Sequence, residues 1–129
     1  MSDGGPIRCR MAACSETLGD GKHWSFYLLN DGDTVIESVV LHAVGYEWGD
    51  WGNSKSVDVR ISGLAPGAHA LIWRDNDSAA ELRVDLSLRV QTDGREVKLN
   101  FEFPKLYHLR NLKPVAGLGK PGYQVTADG

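Results

Sequence analysis

Between Glu81 and Phe103 the chain alternates apolar and polar residues in two runs. Leu82, Val84, Leu86, Leu88 and Val90 fall at every second position, with Arg83, Asp85, Ser87 and Arg89 between them. Beyond Gln91–Glu96 the pattern resumes as Val97, Leu99, Phe101 and Phe103, separated by Lys98, Asn100 and Glu102. Side chains on a strand point to opposite faces with period two, so each run predicts a strand with one apolar face. Asp93-Gly94 between the runs is a strong hairpin signal, because glycine accepts the positive φ that tight turns require. Pairing about that turn sets Val90 opposite Val97, Leu88 opposite Leu99, Leu86 opposite Phe101 and Val84 opposite Phe103. A slip of one residue would oppose apolar to polar at every rung, so the register is strongly specified. Such a hairpin is not stable alone, and a second layer must cover its apolar face.

The rest of the chain supplies strands for that layer. Ile7–Thr17 predicts a first strand with poor alternation, followed by a turn at Leu18–Lys22. His23–Asn30 predicts a second, with Trp24, Phe26 and Leu28 turned inward. Thr34–Val44 is rich in β-branched residues. Val35, Val39, Leu41 and Ala43 share one of its faces, and Ile36, Val40 and Val44 the other, which predicts a central strand. Ser56–Ser62 alternates strictly, with Val57, Val59 and Ile61 inward and Asp58 and Arg60 outward. Gly63–Gly67 is a Pro-Gly turn, and His69–Trp73 is a further strand. Ser78-Ala79-Ala80-Glu81 matches a helix capping box, but the nine residues of period two that follow override it. Pro104 ends the last regular strand. Two readings of 105–112 stay open: a short helix with Pro104 in its first turn, or another short strand. The expectation is an all-β fold, an antiparallel two-sheet β-sandwich of about seven strands. Residues 7–112 form its single domain, after a disordered 1–6. The stretch 113–129, with Pro114, Gly117, Gly119, Pro121 and Gly122, is a tail or extended arm.

Composition changes this picture little. With 129 residues, 42% hydrophobic and 24% charged, the chain is an ordinary globular domain. No apolar run approaches the roughly 20 residues that span a bilayer, so no membrane partner is expected. The N-terminus has no apolar segment of the secretory type, so two expectations stay open: a cytoplasmic protein, or one whose signal has been removed. Cys9 and Cys14 are the only cysteines. On one straight strand they face opposite sides, so they are expected to be reduced structural thiols and not a zinc pair. The formal charge of −3 is unevenly spread. His23–Ser54 holds five acids and no Lys or Arg, whereas Phe103–Ala127 holds Lys105, Arg110, Lys113 and Lys120 and no acid. The basic tail is expected to meet the acidic segment, within one chain or between two. Four bases on a net acidic protein are too few to predict nucleic-acid binding.

No catalytic constellation is legible, and neither a cofactor nor a metal site is expected. His23, His42, His69 and His108 are far apart in sequence. Asp31 with Asp33, and Asp75 with Asp77, lack the glycine and distal Glu of a calcium loop, and read as turns. The one unusual stretch is Gly45–Asn53, read as a loop. Of the chain's four Trp, four Tyr and three Phe, Tyr46, Trp48 and Trp51 fall within six residues, beside Glu47, Asp50 and Asn53. These aromatics either tuck back over an open end of the sandwich or form a recognition surface. The nearer of the two tryptophans to the strand end, Trp48, is expected to pack and Trp51 to stay exposed.

A strand ending in Asn30-Asp31-Gly32, a Val/Ile-rich strand after it, and Leu64-Ala65-Pro66-Gly67 before another strand resemble immunoglobulin-like and fibronectin-type-III-like modules across residues 22–103. Both cysteines precede Trp24, so the Cys–Trp–Cys spacing of true immunoglobulin domains is absent. The resemblance implies a β-sandwich and a bias toward binding. The first expectation is therefore a non-catalytic protein-binding or assembly module, acting through the aromatic loop or the basic arm on a protein partner or a second copy. A carbohydrate or small-ligand module using Tyr46, Trp48 and Trp51 comes second. An enzyme with a site assembled from distant residues comes third.

Overall fold

The hairpin forms in the expected register. Val84 lies opposite Phe103, Leu86 opposite Phe101, Leu88 opposite Leu99 and Val90 opposite Val97, with Gly94 at φ 71° just beyond the last rung. The computed structural model describes residues 7–19, 21–48, 51–76, 83–92, 94–104 and 112–127. Their strands are β1 (Cys9–Leu18), β2 (Gly21–Asn30), β3 (Ile36–Trp48), β4 (Trp51–Leu64), β5 (His69–Asn76), β6 (Arg83–Thr92), β7 (Arg95–Phe103), β8 (Lys113–Pro114) and β9 (Pro121–Thr126). They make two antiparallel sheets, one in the order β5-β2-β1-β9-β8 and the other β4-β3-β6-β7. The described residues contain no helix, and no helix among them is long and apolar enough to cross a membrane. The short helix read at 105–112 and the disordered 1–6 fall almost wholly outside the described residues.

The two sheets face each other across one apolar core. Trp24, Phe26 and Leu28 of β2 meet Val84, Leu86, Leu88 and Val90 of β6 and Leu99, Phe101 and Phe103 of β7, all buried. The rings of Phe26 and Phe103 meet edge to face at 5.0 Å and join the sheets directly. β3 is central in its sheet, between β4 and β6, and its alternation changes phase along its length. The ladder shifts between Leu41 and Ala43, and an extra residue in a strand turns its alternation over. Ile36 at the start of the strand, Val39 and Leu41 before the shift and Val44 after it are buried, whereas Val35, just before the strand, is 49% exposed.

The Gly/Pro-rich segment is an arm that adds a strand to its own chain. β9 pairs with β1 from Arg10 opposite Thr126 to Ala13 opposite Tyr123, so among the described residues this segment adds β8 and β9 to the seven strands before it. The turn before β9 lies over the outer face of the five-stranded sheet. There Val115 is buried with Ala12, Cys14, Tyr27 and Leu29, and Leu118 packs on them. Gly122 allows this close approach. A Cβ at that position would sit 2.8 Å from Cys14 Sγ and 2.9 Å from the Ala13 carbonyl oxygen.

Of the tail's four bases, Lys105 and Arg110 lie outside the described residues, and Lys120 meets an acid other than the ones expected. Lys120 Nζ donates to Glu16 Oε2 at 2.7 Å, and Glu16 precedes the acidic segment 23–54. Cys9 and Cys14 are free and buried on opposite faces of β1, one in each apolar cluster. Burial first, then Asp31, pushes the Cys9 thiol up to about 12. Burial carries Cys14 to about 11, against the opposing effect of Lys120. Neither thiol is an activated nucleophile.

Candidate functional site

The stretch read as an irregular aromatic loop is the end of the β3–β4 hairpin. The ladder continues through Gly45 opposite Ser54, Tyr46 opposite Asn53 and Glu47 opposite Gly52 to Trp48 opposite Trp51. On its other side, Glu47 lies opposite Arg83 and Tyr46 opposite Val84 of β6. Four of the six candidate residues, Tyr46, Asn53, Trp48 and Trp51, thus form two cross-strand pairs one rung of alternation apart, and Glu47 sits between them. Asp50 lies outside the described residues, as do the side chains of Glu47, Trp48, Trp51 and Asn53. Directly opposed positions share a face of the ladder. The expectation of a packed Trp48 and an exposed Trp51 falls on side chains outside the described residues.

Tyr46 is committed to the fold. It is half-buried, and its hydroxyl donates to the Asp75 carboxylate on β5. Trp73 Nε1 donates to the same Asp75 oxygen at 3.2 Å. The contact ties the four-stranded sheet to the five-stranded one at this end of the sandwich. Burial, then Asp75, raises the Tyr46 pKa above its ordinary value. In the sequence Asp75 reads only as a turn residue, and nothing in local spacing points from it to a tyrosine 29 residues away. Tyr46→Phe is expected to cost about 1.5–3 kcal/mol, as loss of a hydrogen bond to a charged group does. A urea melt shifted by less than about 0.5 kcal/mol would assign the tie no weight.

β4 forms the outer edge of its sheet. It has 14 residues, the longest strand described, and among the described residues its only ladder partner is β3. Ser56, Asp58, Arg60 and Ser62 are exposed, while Val57, Val59 and Ile61 between them are half-buried against the core. Arg60 Nε donates to Asp58 Oδ1 at 3.1 Å, with side chains 74% and 70% exposed. A pair so open to solvent contributes little to stability.

A second polar cluster sits on the outer face of the five-stranded sheet. Besides Lys120, Glu16 accepts from Tyr27 Oη at 2.9 Å and lies 3.6 Å from the Arg74 guanidinium Nη2. Arg74 Nε donates to the buried Ser25 hydroxyl at 3.1 Å. The hydrogen bond from Lys120, then those from Ser25 and Tyr27, hold the Glu16 carboxyl down at about 2. The arrangement fastens the turn before β9 to the sheet. His69 stacks its ring edge to face with Tyr27 at 5.8 Å. Among the described residues no three His, Cys, Asp or Glu gather as metal ligands would. A cavity of about 10 Å³ beside Ile7, Asn30 and Thr92 has room for one water.

No protein-family model and no curated protein matches this chain.

Proposed function

We propose that the chain is a non-catalytic protein-binding or assembly module of the immunoglobulin-like, fibronectin-type-III-like kind, recognising an extended partner along β4 and the aromatic end of the β3–β4 hairpin. The strand order supports the module type. In such sandwiches strands A, B and E share one sheet, C, F and G the other, and an added C′ strand joins the second. Taking β1 to β7 as A, B, C, C′, E, F and G reproduces that division, with β9 and β8 added beyond A.

The observation that carries the function is β4 itself. An edge strand offers unpaired backbone donors and acceptors, and an extended chain that pairs with them gains a full ladder. Its alternate Val57, Val59 and Ile61 are only half-buried, so an added strand would also cover apolar surface. Recognition of a sugar by stacking on Tyr46 is less well supported, because that ring is half-buried and its hydroxyl is held by Asp75. Two buried, reduced thiols suit a reducing compartment, so the cytoplasm belongs to the same proposal.

The test is a peptide-display selection on the immobilised domain, run beside an oligosaccharide array. Extended peptides of alternating pattern should be captured, and amide exchange should map them to residues 56–62. Capture of oligosaccharides alone, or peptides that map away from β4, would overturn the reading.

A further inference from the structure

We infer that the partner of β4 is a second copy of this chain, paired antiparallel with its own β4 about a two-fold axis at Val59. This rests on the reading of β4 as a recognition edge and names what occupies it. The segment Ser56-Val57-Asp58-Val59-Arg60-Ile61-Ser62 is complementary to itself when reversed. Turned about Val59, Asp58 of one copy faces Arg60 of the other, and Arg60 faces Asp58. Val57 then faces Ile61, Ser56 faces Ser62, and Val59 faces itself. Unlike charges and β-branched pairs directly opposed across an antiparallel ladder are the favourable combinations.

Neighbouring registers lose this match. Turning about Asp58 or Arg60 sets like charges opposite each other, and turning about a peptide bond opposes charged to apolar positions. The ladder to β3 shifts within this segment, Leu41 pairing Val59 and Ala43 pairing Ser56, so that the extra residue lies on β4 at Val57–Asp58. The exposed alternation of residues 56–62 is nevertheless unbroken, and it is this alternation that a second copy would match. Exposed edges are usually blunted by charges that repel a second strand. Here the two charges have opposite sign and flank the centre, so they select a partner in one register. A two-fold contact of this kind is closed, and assembly stops at the dimer. One strand pair buries a small interface, so the dimer is expected to be weak and concentration-dependent.

Sedimentation equilibrium from micromolar to millimolar protein, with a charge-exchange cycle, tests this. Asp58→Arg and Arg60→Asp should each weaken dimerisation about tenfold, since each turns two attractive cross-strand pairs into repulsive ones. The double variant D58R/R60D restores both pairs and should return to within about threefold of the wild type. Both side chains are more than two-thirds exposed, so the variants should keep the wild-type fold and melting profile. A wild type that stays monomeric throughout overturns the inference, as does a dimer indifferent to the single changes. If that monomer still takes extended peptides along β4, only the second copy is lost and the module reading stands. If it takes none, both fall.

Discussion

Replacing Phe103 with alanine is expected to cost about 3–5 kcal/mol. Its ring is fully buried at the end of β7, meets Phe26 of the opposite sheet at 5.0 Å, and lies 6.2 Å from Tyr123 of β9. Alanine would remove a contact between the two layers and leave a cavity that backbone on two sheets must line. A domain of this size is stable by about 5–15 kcal/mol, so the loss is a large share of the total. Phe101, also fully buried and opposite Leu86, should behave alike. Urea melts decide the matter, and a loss below about 1 kcal/mol at Phe103 would mean that the sheets are not joined there.

Acidification is expected to weaken the fold through Glu16. Its carboxyl is held at about 2 against an ordinary value of 4.5. A depressed folded pKa means that the ionised group stabilises the native state above about pH 4.5. That contribution is lost as pH falls from there through about 2. The gap corresponds to on the order of 3 kcal/mol. Glu16 is half-buried and its principal partner Lys120 is 44% exposed, so solvent screening leaves a contribution nearer about 1 kcal/mol. Glu16→Gln should be less stable than the wild type at pH 7 and should show a flatter decline between pH 4.5 and 2. Urea midpoints taken across that range supply the comparison. Parallel declines in the two proteins would remove Glu16 from the account.

The hairpin β6–β7 was legible to the rung because alternation, turn chemistry and register all agreed. The same logic found Trp24, Phe26 and Leu28 in the core and Val57, Val59 and Ile61 turned toward it. It failed where one local signal masked another. Aromatic density around Trp48 and Trp51 read as a loop, yet Gly49-Asp50 between them is itself a two-residue hairpin signal. Glycine and proline made 113–129 read as a tail, which hid the alternation of Tyr123 and Val125 with Gln124 and Thr126. In β3, apolar residues on both faces suggested two buried sides. For Val44 the cause is a shift of phase near His42, which no periodicity count registers. The Tyr46–Asp75 tie and the Glu16 cluster join residues brought together only by the packed sheets, so no spacing in the chain announces them. The self-complementarity of 56–62, in contrast, is written in the sequence but acquires meaning only once β4 is placed at an edge.

Amide hydrogen exchange along Ser56–Ser62, followed by NMR at low and high protein concentration, tests the edge-strand account most directly. The amides of β3 should be protected at both concentrations, since that strand is paired on both sides. On β4, alternate amides should exchange fast in dilute solution, because about half of an edge strand's donors point away from its neighbour. Those same amides should gain protection as concentration rises. Complete protection of β4 in the most dilute sample would contradict the account, because it would mean that the edge is already covered within a single chain.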